Sequence, residues 1–441
     1  MSAHLPWFSK NAVALGAVAL SVGVLAACSS SGSSSSSSST TTTTTPTAGT
    51  SSTAANSTPI TIGASLSLTG DFSADGVAYD QGYKLWAADV NKAGGIMGRQ
   101  VKLTILNDNS DPNQVVTNYE TLINTDHVDI TFGPFSSLLT APASAVAARN
   151  GFAFVEGAGG APTVFDTPSN EADHNVFDVS LPVADEFLPF INYVKSYLAA
   201  HPGTKLTAAY PSAQDPFATP PVSLAQTELQ ALGVKTVYSN TFPEEVADYK
   251  GPADDVASKD PDIVVLGSTD VPTVQAFMQA FEQQHFTPKL FIAAAGPDQG
   301  AAFIKAVGAG NANGMMVPDG WYPGVTSAAS QAMVNEYVKQ YGGTASGVNA
   351  DIAEAYSVGQ VVAQAITATG GTDNAKIISY LHSGVTLTSV QGPVKFDSLG
   401  ENSLSDAFVF QWQNAGTVFN QVLPTGTGSQ TIINPKTPWS S

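Results

Sequence analysis

The chain has 441 residues, of which 36 are acidic and 17 basic, for a formal net charge of −19. Hydrophobic residues make up 43% and charged residues 12%, so a large core is available on a length better suited to two domains than to one. The acidic balance excludes a phosphate-neutralising nucleic-acid face and electrostatic docking on anionic lipid. One cysteine, Cys28, leaves no structural disulfide.

Residues 1–27 place Lys10 ahead of an uncharged apolar run from Asn11 to Ala27, with small residues before Cys28. A positive start, an apolar centre and small residues before a cut predict a secretory signal peptide. Leu25-Ala26-Ala27-Cys28 resembles the lipobox of bacterial lipoproteins. The resemblance implies that Cys28 carries the lipid and becomes the N-terminus after cleavage. The alternative is a signal-anchor helix with an incidental cysteine, because the run could nearly span a bilayer. Residues 28–58 are dominated by Ser and Thr, and no charge occurs between Lys10 and Asp71. Such a stretch cannot bury apolar surface and is expected to be a disordered spacer with a mean reach of roughly 30 Å.

The body begins near Pro59. Ile60–Ala64 predicts a strand, and Ala78, Gly82, Leu85, Trp86 and Val90 mark one face of a following helix. Val101–Leu106 is the next strand, Asp111-Pro112 opens a helix, and Val128–Phe132 is a third strand. Similar alternation resumes after Pro182, with buried strands at Leu206–Ala209, Val234–Tyr238 and Ile263–Leu266. Helices are predicted at about Ala328–Gln340 and Asp351–Thr369, the second with small residues mid-face that permit close packing. This β-α-β-α order implies parallel sheets covered by helices, an α/β fold. Residues 425–441 are Gly-, Thr- and Pro-rich and expected to be a flexible tail.

Several ordered segments resemble the type I periplasmic binding proteins, in the branched-chain amino-acid (Leu/Ile/Val-binding) group. They are Leu68-Thr69-Gly70, Ala93–Arg99, Asn107–Pro112, Gly133–Ser137, Gly157–Pro162, Gly296-Pro297-Asp298 and Phe410-Gln411-Trp412. The resemblance covers roughly Pro59 to Val422. It implies two doubly wound Rossmann-like lobes, 59–180 plus 318–395 and 181–317 plus 396–424. Three hinge crossings would join them, near Val179–Pro182, Val317–Tyr322 and Val394–Leu399. It further implies an ABC-transporter substrate-binding lipoprotein, anchored on the outer face of the membrane, monomeric, and working with permease subunits.

In an open parallel sheet, ligands sit beyond the carboxyl ends of the strands. Ser136 and Ser137 follow such a strand and start a helix, whose N-terminus attracts a carboxylate; a plain helix cap is the alternative. The resemblance assigns Ser137 to the amino-acid head group, the backbone of Ala158, Gly159 and Gly160 to the ligand, and Asp298 to its ammonium. A tight glycine turn is the alternative for the second segment and a helix-start acid for Asp298. Gly160 stands where the family commonly has a hydroxyl, Thr269 where an aromatic is expected, and Asp75 where Tyr is common. Glu156 occupies a position that is usually small or Pro, and would add negative charge to the cleft. Phe217, Trp321 and Tyr322 are candidate cleft aromatics, with core or hinge packing an equal alternative, and Asp270 is better read as a cap. Ser110 and Ser136 take positions where some relatives carry a disulfide. These departures weaken a strict Leu/Ile/Val specificity and favour a ligand with an amino, amide or cationic group.

Six scattered histidines form no metal pair, and neither a Gly-x-Ser-x-Gly elbow nor a phosphate-loop motif occurs. No cofactor, metal or nucleic-acid partner is expected. The sequence reads as a non-enzymatic solute-binding protein that captures an amino acid or similar metabolite by lobe closure. A secreted hydrolase or a ligand-sensing receptor component of the same fold is the alternative.

Overall fold

The computed structural model describes residues 58–167, 174–243, 249–324, 327–426 and 428–439. The signal peptide, Cys28 and all but the last residue of the spacer lie outside the described residues. Among those described, no helix is long and apolar enough to cross a membrane.

The first sheet begins with strand β1 (Ile60–Leu66), a run buried along nearly its whole length. Helix α1 (Ser73–Lys92), strand β2 (Val101–Asn107), helix α2 (Pro112–Asn124), strand β3 (Ile130–Phe132), helix α3 (Ser137–Arg149), strand β4 (Phe154–Glu156) and strand β5 (Val176–Asp178) follow. The sheet order is β2-β1-β3-β4-β5, and every pairing is parallel. Asp111 caps α2, accepting from the Asn113 N–H at 2.8 Å, with Pro112 at the position where a missing N–H costs nothing.

After Asp178 the chain leaves this sheet. Helix α4 (Leu188–Ala200) leads to strand β6 (Thr207–Ala213), helix α5 (Thr219–Ala231), strand β7 (Lys235–Phe242) and helix α6 (Lys250–Ala257). Strand β8 (Ile263–Leu266), helix α7 (Val271–Gln283), strand β9 (Leu290–Ala293), helix α8 (Gly300–Val307) and strand β10 (Met315–Asp319) come next. Beyond Asp319 the chain returns toward the first sheet through helices α9 (Ala328–Tyr341), α10 (Ala350–Thr369) and α11 (Asn374–Leu381), then the small pair β11 (Leu387–Thr388) and β12 (Pro393–Val394). It then passes back to strands β13 (Phe408–Gln413) and β14 (Val418–Leu423). The second sheet has the order β14-β13-β10-β9-β8-β6-β7. It is parallel from β7 to β10, and β13 and β14 add antiparallel strands at one edge. Sequence alternation does not announce that edge, because its strands are joined by a short turn rather than by a helix.

Helix α10 belongs with the first sheet. Ala355, Val358, Val362 and Ile366 share one core with Ile60, Ile62, Tyr83 and Trp86. Small residues make the α1–α10 approach possible. A Cβ on Gly82 would sit 2.6 Å from the Ile352 carbonyl oxygen and 2.7 Å from Ala355 Cβ, and one on Gly359 would collide with the Trp86 indole. This close packing brings the N-terminal turns of α1 and α10 together at the carboxyl edge of the first sheet.

Residues 428–439, expected to be flexible, are instead packed against the second sheet and its helices. The Ile433 N–H donates to Gln411 Oε1 at 2.7 Å, and the Trp439 indole N–H donates to the Phe286 carbonyl at 2.6 Å. Lys436 is buried, lies 3.9 Å from the Trp439 ring centre and donates to the Asn311 carbonyl at 3.0 Å. These residues are too sparse to create a periodic signal, yet each makes a specific contact.

Candidate functional site

A cavity of about 780 Å³, its open mouth included, lies where the carboxyl ends of the parallel strands of both sheets meet. Its wall comes from the loops after β3, β4 and β5 on one side and after β6, β8, β9 and β10 on the other, completed by the first turns of α1 and α10. That is where ligands sit in open α/β sheets.

Of the residues singled out in the sequence, the cavity brings together Asp75, Ser136, Ala158, Gly160, Phe217, Thr269 and Asp298. Ser137 and Gly159 are buried behind its wall. Ser136 precedes α3 in extended geometry, but its hydroxyl makes no capping bond and has no partner among the described residues. The plain-cap reading of Ser136 therefore fails. Its oxygen is left beside the helix N-terminus, where the first-turn N–H groups lack intrahelical acceptors.

The loop after β4 differs from expectation. Glu156 does not face the cavity; it is fully buried, and its Oε2 accepts from the Ala158 N–H at 2.8 Å and from the Gly159 N–H. Two of the three backbone N–H groups expected to meet a ligand are thus already taken. The carbonyls are engaged too, Gly159 by Ala161 and Gly160 by Val183. A Cβ on Gly160 would stand 2.6 Å from Asp178 Oδ2, so a hydroxyl-bearing residue there would need the Asp178 carboxyl to move. Trp321 and Tyr322 lie outside the cavity. Trp321 is buried and donates to Ser330 Oγ at 3.0 Å. Asp270 caps α7 through the Thr273 N–H at 2.8 Å.

Five acids that sequence reasoning missed also line the cavity: Asp178, Glu186, Asp319, Asp351 and Glu354. With Asp75 and Asp298 the wall holds seven carboxyl groups and no Lys, Arg or His. Gln299 ties part of this wall together. Its side-chain amide donates to Asp75, to Asp351 at 3.1 Å and to Asp298 at 3.3 Å, and Asn349 donates to Asp351 at 2.9 Å. Tyr79 donates to Glu354 at 2.6 Å, and the Trp321 N–H donates to Asp319 at 3.0 Å. Asp178 accepts from the Ser180 N–H at 2.8 Å through one oxygen, while its other oxygen and Glu186 Oε2 have no partner among the described residues.

Burial is the first cause of the electrostatics here, and like charge the second. Burial pushes Asp351 up to about 7, with Asp298 adding to the effect, and pushes Asp178 up to about 8. Asp75, Glu186, Asp319 and Glu354 are raised well above the usual carboxylate range by burial and by neighbouring acids. Asp298 is raised by burial, which its bond from the Gly296 N–H partly offsets. Burial and like charge thus favour the protonated form of these groups, and a cation seated among them would favour the ionised form.

A family model for the periplasmic binding proteins matches residues 59–417. The chain belongs to that family. An "Amino acid binding protein" of Pseudomonas aeruginosa is 23% identical over 81% of this chain and 91% of the relative. "Leu/Ile/Val-binding protein homolog 7" of Brucella abortus is 25% identical over 80% of this chain and 87% of the relative. The periplasmic-binding fold recurs in a branched-chain amino acid transporter substrate-binding protein of Streptococcus pneumoniae in complex with isoleucine. The TM-score is 0.69 at 20% identity, covering 82% of this chain and 99% of that one. A Rhodopseudomonas palustris ABC-transporter solute-binding protein in complex with benzoate gives a TM-score of 0.70 at 16% identity, covering 86% and 98%. The two-lobed α/β architecture expected from the sequence is therefore the architecture of the chain.

Proposed function

We propose that this chain is the extracytoplasmic solute-binding subunit of an ABC importer and holds an amino acid or related small polar metabolite between its lobes. The lobes are taken as 59–180 with 318–395 and 181–317 with 396–424, hinged near 179–182, 317–322 and 394–399. One observation carries the reading: a cavity at the carboxyl ends of strands from both sheets, with an unpartnered hydroxyl beside a helix N-terminus and acids opposite it. Ser136 and the first N–H groups of α3, that of Ser137 included, take a carboxylate; Asp298, Asp75 and Asp351 take an ammonium. Phe217 and Thr269 contact the remainder of the ligand, and the loop 158–160 shapes the wall. A ligand that touches both sides stabilises the closed arrangement over the open one.

The protein works as a monomer, delivers its ligand to membrane permease subunits, and is held near them by a lipid on Cys28 and the Ser/Thr spacer. The relatives named above are binding proteins, and nothing among them favours the hydrolase alternative. A thermal-shift screen of amino acids, amides, amines and aromatic acids tests the reading. At least one compound is expected to raise the melting temperature in proportion to the logarithm of its concentration. A screen in which none does so refutes it. Incorporation of labelled fatty acid into the wild-type chain and not into Cys28→Ser tests the anchor.

A further inference from the structure

We propose that the ligand is a small organic molecule with two separated positive charges, the chemistry shared by diamines and dibasic amino acids. This rests on the reading of the cavity as a solute site and narrows it.

The acids fall into two groups. Asp75, Asp298 and Asp351 surround the Gln299 amide, which supplies two N–H donors to three carboxyl groups. The Asn349 amide adds a bond to Asp351 and the Gly296 N–H one to Asp298, so this group has neutral donors but no positive charge facing it. Asp178 and Glu186 form the second group. Each of the pair is more than nine-tenths buried, lines the cavity and keeps one carboxylate oxygen without a partner. No hydrogen bond among the described residues joins the two groups. A buried, unpaired carboxyl oxygen is costly unless a proton or a cation meets it. No Lys, Arg or His lines the cavity, so any cation must be brought in. Ser136 offers the cavity a hydroxyl at the start of α3, so a carboxylate on the same molecule can be accommodated but is not required.

Titration calorimetry on the purified protein with cadaverine, lysine, agmatine and arginine tests the proposal, with Nε-acetyl-lysine and leucine as controls that each carry one cationic group and no net charge. At least one of these four compounds with two cationic groups (the dications below, although lysine and arginine also carry a carboxylate) is expected to bind tenfold or more tighter than both controls. Lysine or arginine ahead of its decarboxylated partner assigns the Ser136 corner to a carboxylate; the reverse order assigns the site to diamines. Both orders support the proposal. Leucine or Nε-acetyl-lysine binding as tightly as every dication overturns it while leaving solute binding intact. So does a hit elsewhere in the wider thermal-shift screen with no dication binding at all. Glu186→Gln, which removes a charge and conserves shape, is expected to weaken the best dication tenfold and the controls by less than twofold. Equal loss for both, with an unchanged melting temperature, also overturns it.

Discussion

The Ser136 corner and the acid wall belong to one cavity, yet they present opposite chemistry. At Ser136 a hydroxyl and the start of α3 offer donors and a positive dipole end to an incoming group. Elsewhere on the wall, the carboxyl groups of Asp75, Asp298 and Asp351 share the Gln299 amide, and Glu186 and Asp178 each keep one oxygen without a partner among the described residues. The donor side is light, because the neighbouring loop has turned its N–H groups inward to Glu156. The acid side is heavy, because the tight α1–α10 packing sets Asp75 beside Asp351. The contrast teaches that one cavity can set a donor corner beside a wall that is acidic throughout, and the proposal that ligand charge decides entry rests on that asymmetry.

The largest effect is expected from breaking the packing behind the acid wall. Gly359→Leu drives a side chain into the Trp86 ring, in a core that contains no slack. Overpacking of this kind costs about 3 kcal/mol. Denaturant unfolding should show a lower midpoint with the same slope, and ligand affinity should fall because Asp351 and Glu354 shift with α10. A midpoint equal to that of the wild type would mean that α1 and α10 do not hold the acid wall in place.

Much of this packing is legible in the sequence, and the acid wall is not. The strand β1 and the 3.6-residue stripe of α1 follow from residue types alone, and the small residues at Ala355 and Gly359 predict a close neighbour for α10. Asp75 and Asp298 are reachable through the resemblance to the binding-protein family. Asp351, Glu354, Glu186 and Asp319 are not. Each looks like an ordinary acid at a helix or strand end, and only the three passages of the chain between the sheets bring them together. One signal was available: Asp351 and Glu354 are the only charges on a 20-residue helix, one turn apart, with no basic residue on that helix to pair with them. Glu156 was misread for the converse reason. Its partners are backbone N–H groups, which a list of side chains does not display.

The next effect in size is a dependence on pH that the acid side alone should produce. Groups raised in the folded chain bind more protons there than when unfolded, so stability is full below the unfolded carboxylate range and falls as pH rises through the folded values. Asp351 at about 7 and Asp178 at about 8 set the window from about pH 4 to pH 8. The ligand-free melting temperature should drop by a few degrees between pH 5 and pH 8, on a scale of roughly 2–4 °C per kcal/mol. Asp351→Asn should flatten that slope, and a dication added at pH 8 should reverse it, since binding releases the protons. Gln299→Leu should steepen it by removing the one donor shared by three acids. A melting temperature that rises from pH 5 to pH 8 would break the contrast between the two sides.

The smallest effect belongs to the donor corner. Ser136 has no protein partner to strand, so Ser136→Ala should leave stability within about 0.5 kcal/mol of the wild type. A hydrogen bond to a charged group is worth about 1.5 kcal/mol or more, so a ligand carboxylate seated there should lose roughly tenfold in affinity. Lysine and cadaverine differ only in that carboxylate. Calorimetry on the variant should therefore weaken lysine and leave cadaverine unchanged, and the gap between the two measures how much the donor side contributes. Equal weakening of both would place Ser136 against the aliphatic chain or an amine, and would leave the α3 terminus without a carboxylate to hold.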